Sequence, residues 1–220
     1  MPDDVADPLE APNRLAFGLN VALDHHGLRP AVHAYRLLPE LVRDRVHDVI
    51  LTLHMPVVFG NELLQGELAR AGETALHLAA DLTVGVAGTF DAGGKLFGMR
   101  RREADFGQTL GVWGVGQGFY LVLPLLGPST PRDAVGRVVD GFMDPLGYFT
   151  SFFPDDVART ATETVDERDR RFNEINEVEK NALDYYATVR SLYLQERQRL
   201  VRQGRAGADA DAATVVPDLP

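Results

Sequence analysis

The chain has 220 residues, 32 acidic and 22 basic side chains, a formal charge of -10 and no cysteine. That length fits one domain of ordinary size. The acidity argues against a nucleic-acid partner, whose phosphates need a basic field. Without cysteine, disulfides, thiolate catalysis, cysteine-held zinc and iron–sulfur clusters are excluded.

The opening MPDDVADPLE lacks the positive and apolar regions of a secretory signal, which leaves a cytosolic chain or one whose leader has been removed. No stretch alternates apolar and polar residues between hairpin turns, whereas several show helical spacing, so the chain reads as almost wholly α. Asn13 to Leu28 forms a first helix with Leu15, Leu19, Ala22 and Leu23 on one face, Asn13 as its cap and Arg29-Pro30 as its end. A second helix starts near Pro39 and carries Leu41, Val42, Val46, Val49, Ile50 and Leu53 at helical spacing, with Pro56 closing it. A third covers Glu62 to Leu82, where Leu64, Leu68, Ala71, Ala75, Leu78 and Leu82 form an apolar stripe opposite Glu67, Arg70 and Glu73. Gly85 and Gly88 then break the pattern.

From Phe106 to Pro131 the chain runs 26 residues without a charged side chain. As one helix this run would reach about 39 Å, longer than a bilayer core is thick, yet glycines and prolines punctuate it throughout. Non-helical backbone at membrane depth is tolerated only where protein buries it or it lines a wet cavity. The run therefore reads either as a bent, partly helical element beside lipid and an aqueous path, or as the core hairpin of a soluble domain. Trp113, Phe119 and Tyr120 within it suit headgroup-level anchoring or simple core packing.

Pro131 to Phe142 reads as a helix. From Asp166 to Lys180, ten of fifteen residues are charged with mixed sign, the pattern of a water-facing helix. The stretch after Tyr185 is a basic amphipathic helix with Arg190, Arg197, Arg199, Arg202 and Arg205, whose arginines either snorkel and cap or meet an anionic partner. Residues 1–203 read as a single helical domain and 204–220 as a disordered tail.

Chemical motifs are few. Ser129, Ser151 and Ser191 are the only serines, and none sits in a G-x-S-x-G elbow. The glycines of GVWGVGQG fit no dinucleotide or phosphate loop. No H-E-x-x-H pair is present, and Asp24-His25-His26 reads as a helix end rather than a metal site. No catalytic residue, metal or cofactor is assigned.

Several segments carry a resemblance: DPLEAPNR (Asp7 to Arg14), the F-x-x-N-x-x-L-D pattern of Phe17, Asn20, Leu23 and Asp24, LRP (Leu28 to Pro30), NELLQG (Asn61 to Gly66), the block Asp105 to Gly136, and DYYATVRSLYLQERQRL (Asp184 to Leu200). In this order, over about nine-tenths of the chain, the sequence resembles the MlaA/VacJ family of outer-membrane lipoproteins. The resemblance implies an all-α, ring-like single domain of amphipathic and membrane-embedded helices with a glycine/proline-rich bent hairpin. It implies non-enzymatic removal of mislocalised phospholipid from the outer leaflet of the outer membrane, through an amphipathic channel, to a periplasmic lipid-carrier protein, with a trimeric porin as membrane partner. The implied location is the periplasmic side of the outer membrane. The lipid path would use Phe17, Asn20, Phe106, Trp113, Phe119, Tyr120, Leu121, Val122, Leu123 and Pro124, and the arginines from Arg190 to Arg205 would meet the carrier. The family is normally tethered by a lipidated cysteine, and a leader ending just before the present start would account for its absence here. The competing readings are a lipid-acting hydrolase and a soluble helical scaffold.

Overall fold

The computed structural model describes residues 7–145 and 153–215, and the backbone alone at 153–157 and 210–215. Residues 1–6, Ser151 and residues 216–220 of the expected tail lie outside the described residues. The described chain is all-α apart from one short hairpin. Helices α1 (Glu10–Leu23), α2 (Arg29–Tyr35), α3 (Glu40–Gln65), α4 (Leu68–Thr83), α5 (Ala92–Phe97) and α6 (Phe106–Val112) precede strands β1 (Leu121–Leu123) and β2 (Gly127–Ser129). Helices α7 (Pro131–Met143), α8 (Phe153–Arg170), α9 (Phe172–Asn181) and α10 (Tyr185–Val215) follow. No helix among the described residues is long and apolar enough to cross a membrane.

The chain groups into two compact units. The first holds Met1–Asp44, Gln117–Pro131 and Phe152–Arg197, and the second holds Arg45–Gly116, Arg132–Ser151 and Gln198–Pro220.

In the first unit, α1 does not stop at Arg29-Pro30. A π-turn over Asp24–Leu28 leads directly into α2, whose second residue is Pro30. The hairpin is antiparallel, with Leu121 opposite Ser129 and Leu123 opposite Gly127. Tyr120, Val122 and Tyr186 form its buried core, with Ala16, Phe17, Tyr193 and Leu194 packed around them.

Asn13 is buried rather than a cap. Its amide nitrogen donates to Tyr120 O at 3.0 Å and its amide oxygen accepts from Val122 N at 2.9 Å. One face further along α1, Asn20 donates to Leu123 O at 3.0 Å and accepts from Leu125 N at 2.8 Å. Two amides at i and i+7 thus stand on one side of the helix and pair with the strand edge as a neighbouring strand would.

The charged stretch from Asp166 does not simply face water. Asp166, Arg168 and Asp169 are buried. Arg168 Nε reaches Asp24 at 2.8 Å, Asp169 pairs with both Arg36 and Arg43, and Asp166 accepts from the Tyr35 hydroxyl at 3.0 Å. Composition could not reveal this because mixed charge is equally compatible with a solvated face and with internal pairing.

In the second unit, α3 continues through Pro56, against the expected stop. The helix loses one N–H there, but Asn61, Glu62 and Gln65 are all buried beyond it, and tertiary burial outweighs the local break. It ends instead at Gly66, whose φ of +80° is the left-handed conformation glycine adopts freely. Helix α7 begins at Pro131 as read from sequence. Its Gly136 lies so close to the backbone of Gly107 that any side chain would collide with it.

Helix α10 runs on past residue 203 to Val215, where a disordered tail was expected. Gly204 is buried against Gln65, Val112 and Gln108, and this packing orders a segment whose composition alone favours disorder.

Candidate functional site

The leucine stripe of α4 points outward. Leu76 is 63% exposed, and Leu68 and Leu82 are exposed too. Of the expected apolar stripe Ala71 alone is buried, and it joins Thr74, His77 and Asp81 on the inward face. The same inversion holds around it: the centre of the second unit contains Asp48, Thr52, Asn61, Glu62, Gln65, Glu67, Gln108 and Thr109, while Leu63, Leu64 and Trp113 are exposed. Large exposed apolar surface over a polar interior is the reverse of a water-soluble fold.

That interior is wired rather than loose. The Thr109 hydroxyl donates to Asn61 Oδ1 at 2.8 Å and accepts from Gln65 Nε2 at 3.0 Å. Asp140 accepts from Asn61 Nδ2 at 2.8 Å and from Phe106 N at 3.1 Å. Asp81, with 0% exposure, takes Arg101 Nη2 at 2.7 Å and Gly93 N at 2.9 Å. His77 Nε2 lies 2.8 Å from Asp91 Oδ1.

His77, Asp81 and Asp91 place ligand atoms within 4.8 Å of one another, the kind of grouping a divalent ion uses. Arg101 already supplies the positive charge there, with Nε also 3.6 Å from Asp91. Burial pushes the Asp91 carboxyl up, but His77, the Gly94 N–H and Arg101 together hold it below its ordinary value. Burial pushes the Glu62 carboxyl up, only partly offset by a hydrogen bond from Thr74 and the charge of Arg102.

The structure divides the residues picked from sequence. Phe106 and Trp113 belong to the second unit, where their rings meet edge to face at 5.9 Å and the Trp113 indole donates to Leu64 O at 2.9 Å. The other eight belong to the first. Tyr120 is 0% exposed and Val122 is buried, so both are core. Phe17 packs edge-on against Tyr185 at 5.1 Å and Tyr186 at 5.5 Å. Asn20 positions the hairpin, Leu121 and Leu123 are half-buried, and Phe119 and Pro124 are exposed. Burial also pushes the Tyr120 hydroxyl pKa up.

The basic face expected for a carrier is largely engaged within the chain. Arg190 stands over the Tyr120 ring at 5.7 Å, Arg197 is buried, and Arg205 donates to Gly111 O at 2.7 Å.

The residues of the polar interior were missed by sequence reasoning. A signal existed: Glu67, Ala71, Thr74, His77 and Asp81 recur at helical spacing, as regular as the leucines opposite. A family model described as MlaA lipoprotein matches residues 5–200. The chain belongs to the MlaA lipoprotein family. It is 30% identical over 205 residues to the intermembrane phospholipid transport system lipoprotein MlaA of Escherichia coli (strain K12), covering 90% of this chain and 80% of that protein. An uncharacterized protein of Rickettsia bellii is 32% identical over 203 residues, covering 90% of this chain and 78% of that one. A solved structure concerning the structural basis for maintenance of bacterial outer membrane lipid asymmetry aligns with a TM-score of 0.80 at 30% identity, covering 89% of this chain and 99% of that one. In this MlaA family member the family segments are the structural clips themselves: DPLEAPNR supplies Asp7 and Asn13, with Asp7 accepting from Asn13 at 2.8 Å and from the Tyr186 hydroxyl.

Proposed function

We propose that this chain moves intact phospholipid at the outer membrane, taking mislocalised lipid from the outer leaflet and passing it toward a periplasmic carrier, so that lipid asymmetry is maintained. The observation that carries the reading is the inversion in the second unit, with leucines outside and hydrogen-bonded amides and charges inside. An apolar exterior suits acyl chains and a polar interior suits a headgroup. Such a protein lies in a bilayer by its apolar faces without a spanning helix, and the exposed Leu15 and Leu19 of α1 fit the same surroundings. Trp113, Phe119 and Pro124 meet acyl chains in this reading, and Leu123 flanks the path. Tyr120 and Val122 hold the hairpin in shape. A trimeric porin is the proposed membrane partner and a lipid anchor the proposed tether.

No bond is made or broken in this account. Ser129 is buried with its hydroxyl donating to Thr130 O at 3.3 Å, and the Ser191 hydroxyl accepts from Gln195 at 2.9 Å, neither arrangement being that of an activated nucleophile.

The test is replacement in an Escherichia coli strain lacking its own MlaA, with the chain expressed behind a lipoprotein leader. A membrane-impermeant amine reagent then reports outer-leaflet phospholipid. Labelling should fall to the level of the parent strain, and Leu123→Asp should leave it high at normal protein abundance. Unchanged labelling with the unaltered chain would overturn the transport reading. Release of fatty acid from phospholipid by the purified protein would replace it with a hydrolase.

A further inference from the structure

The second unit encloses a cavity of about 470 Å³, within the range of about 300–1,000 Å³ typical of small-molecule sites. Its wall carries both signs of charge. Arg102 Nη2 bonds Glu73 at 2.6 Å, but its Nη1 is buried without a hydrogen-bond partner. Glu62 is 1% exposed, and its Oε2 likewise has none. Gln108 commits its nitrogen to Gln65 Oε1 and Leu200 O, leaving a buried Oε1 unpaired. Arg100 and Glu103 line it as exposed residues, while the cations Arg70 and Arg101, also in the wall, are paired with Glu67 and Asp81.

After the internal pairs are made, the wall retains a buried guanidinium N–H of Arg102 and a buried carboxylate oxygen of Glu62, each without a hydrogen-bond partner. An unsatisfied buried polar group is costly, more so when charged. A simple anion would satisfy Arg102 and oppose Glu62, a simple cation would do the reverse, and a neutral polyol would answer neither charge. A ligand bearing phosphate and ammonium on one short linker answers both.

We propose that this cavity receives the zwitterionic headgroup of a phospholipid, its phosphate against Arg100 and Arg102 and its ammonium against Glu62 and Glu103. This rests on the transport reading above and adds headgroup selectivity to it.

The experiment is calorimetric titration of the full chain, in mild detergent, with dihexanoyl phosphatidylethanolamine and dihexanoyl phosphatidylglycerol. The zwitterionic lipid should bind about tenfold tighter, a difference of about 1.4 kcal/mol. Glu62→Gln should bring the two affinities together by weakening the zwitterionic lipid and tightening the glycerol lipid, and Arg102→Gln should weaken both. Glu103→Gln, at an exposed position, should narrow the preference without touching the fold, so a melting curve separates loss of selectivity from loss of structure. Equal or tighter binding of phosphatidylglycerol to the unaltered chain would overturn the proposal, as would a preference that survives both glutamate changes. If long-chain phospholipids of both headgroups co-purify equally, transport stands and selectivity falls. If no phospholipid binds or co-purifies, both readings fall.

Discussion

In the unit built on α1 and the hairpin, tyrosine rings fill the centre, and arginine–carboxylate pairs gather where α8 and α9 meet α1 and α2. In the unit built on α3 and α4, amides, hydroxyls and carboxylates fill the centre, and leucines stand outside. The first buries aromatic rings, as the removal of apolar area from solvent favours, although Leu15, Leu37 and Leu125 stand exposed on it. The second turns many polar groups inward and pairs most of them, an arrangement that suits the apolar surroundings of the transport reading. Secondary structure is therefore not what distinguishes them. What distinguishes them is where the polar groups lie.

The comparison breaks most readily at Arg101. Arg101→Met leaves Asp81 buried without its cation and should destabilise the protein by about 3–5 kcal/mol, read from urea unfolding. A tolerant variant would mean that water, not arginine, supports the polar interior. In the other unit, Asn13→Ala strands the backbone groups of Tyr120 and Val122 in an apolar core, an expected loss of about 2–4 kcal/mol by the same measurement. Asn20→Ala, at a more open site, should cost about 1 kcal/mol.

Acid should act on the first unit through its ion pairs. Burial pushes Asp24 and Asp169 up, but Arg168 and Arg29 hold Asp24, and Arg36 and Arg43 hold Asp169, below the ordinary value of 3.8. A lowered folded-state pKa gives stability that is complete above the unfolded value and is lost as pH falls through the folded one. Melting temperature should therefore hold steady down to about pH 4 with respect to these groups and decline below it. Asp169→Asn should flatten that decline. The smallest effect on stability is expected at Leu76→Gln, within about 0.5 kcal/mol of the parent, although flotation with phospholipid vesicles should weaken. Unimpaired flotation would remove α4 from the membrane-facing surface.

Much of this architecture was legible in the residues. Helical spacing located α4 but ran it back to Glu62 across the break at Gly66, Pro131 and its capping region marked the start of α7, and the glycines and prolines of the uncharged run argued against a spanning segment. Periodicity reports that a helix has two faces; it does not report which faces inward. For α4 that choice depends on the surrounding medium, so Glu67 passed with Arg70 and Glu73 as the outer face, although it is buried along with Thr74, His77 and Asp81. Pro56 misled because a local penalty was weighed without the burial of Asn61 and Glu62 one turn beyond. The charges at Asp166, Arg168 and Asp169 misled because their partners, Tyr35, Asp24, Arg36 and Arg43, lie far away in sequence.

The two asparagine clips on α1 also govern the order in which the first unit can be made. Asn13 and Asn20 find their backbone partners 107 and 103 residues further along the chain, and Asp7 meets the Tyr186 hydroxyl 179 residues away. Helix α1 is thus synthesised well before its partners and is among the last elements to be completed, since the Asn20 amide finds its mates only once the hairpin exists. Contacts of such long range are slow to close, and until they do, α1 offers its leucines and an unanswered amide to whatever receives the growing chain.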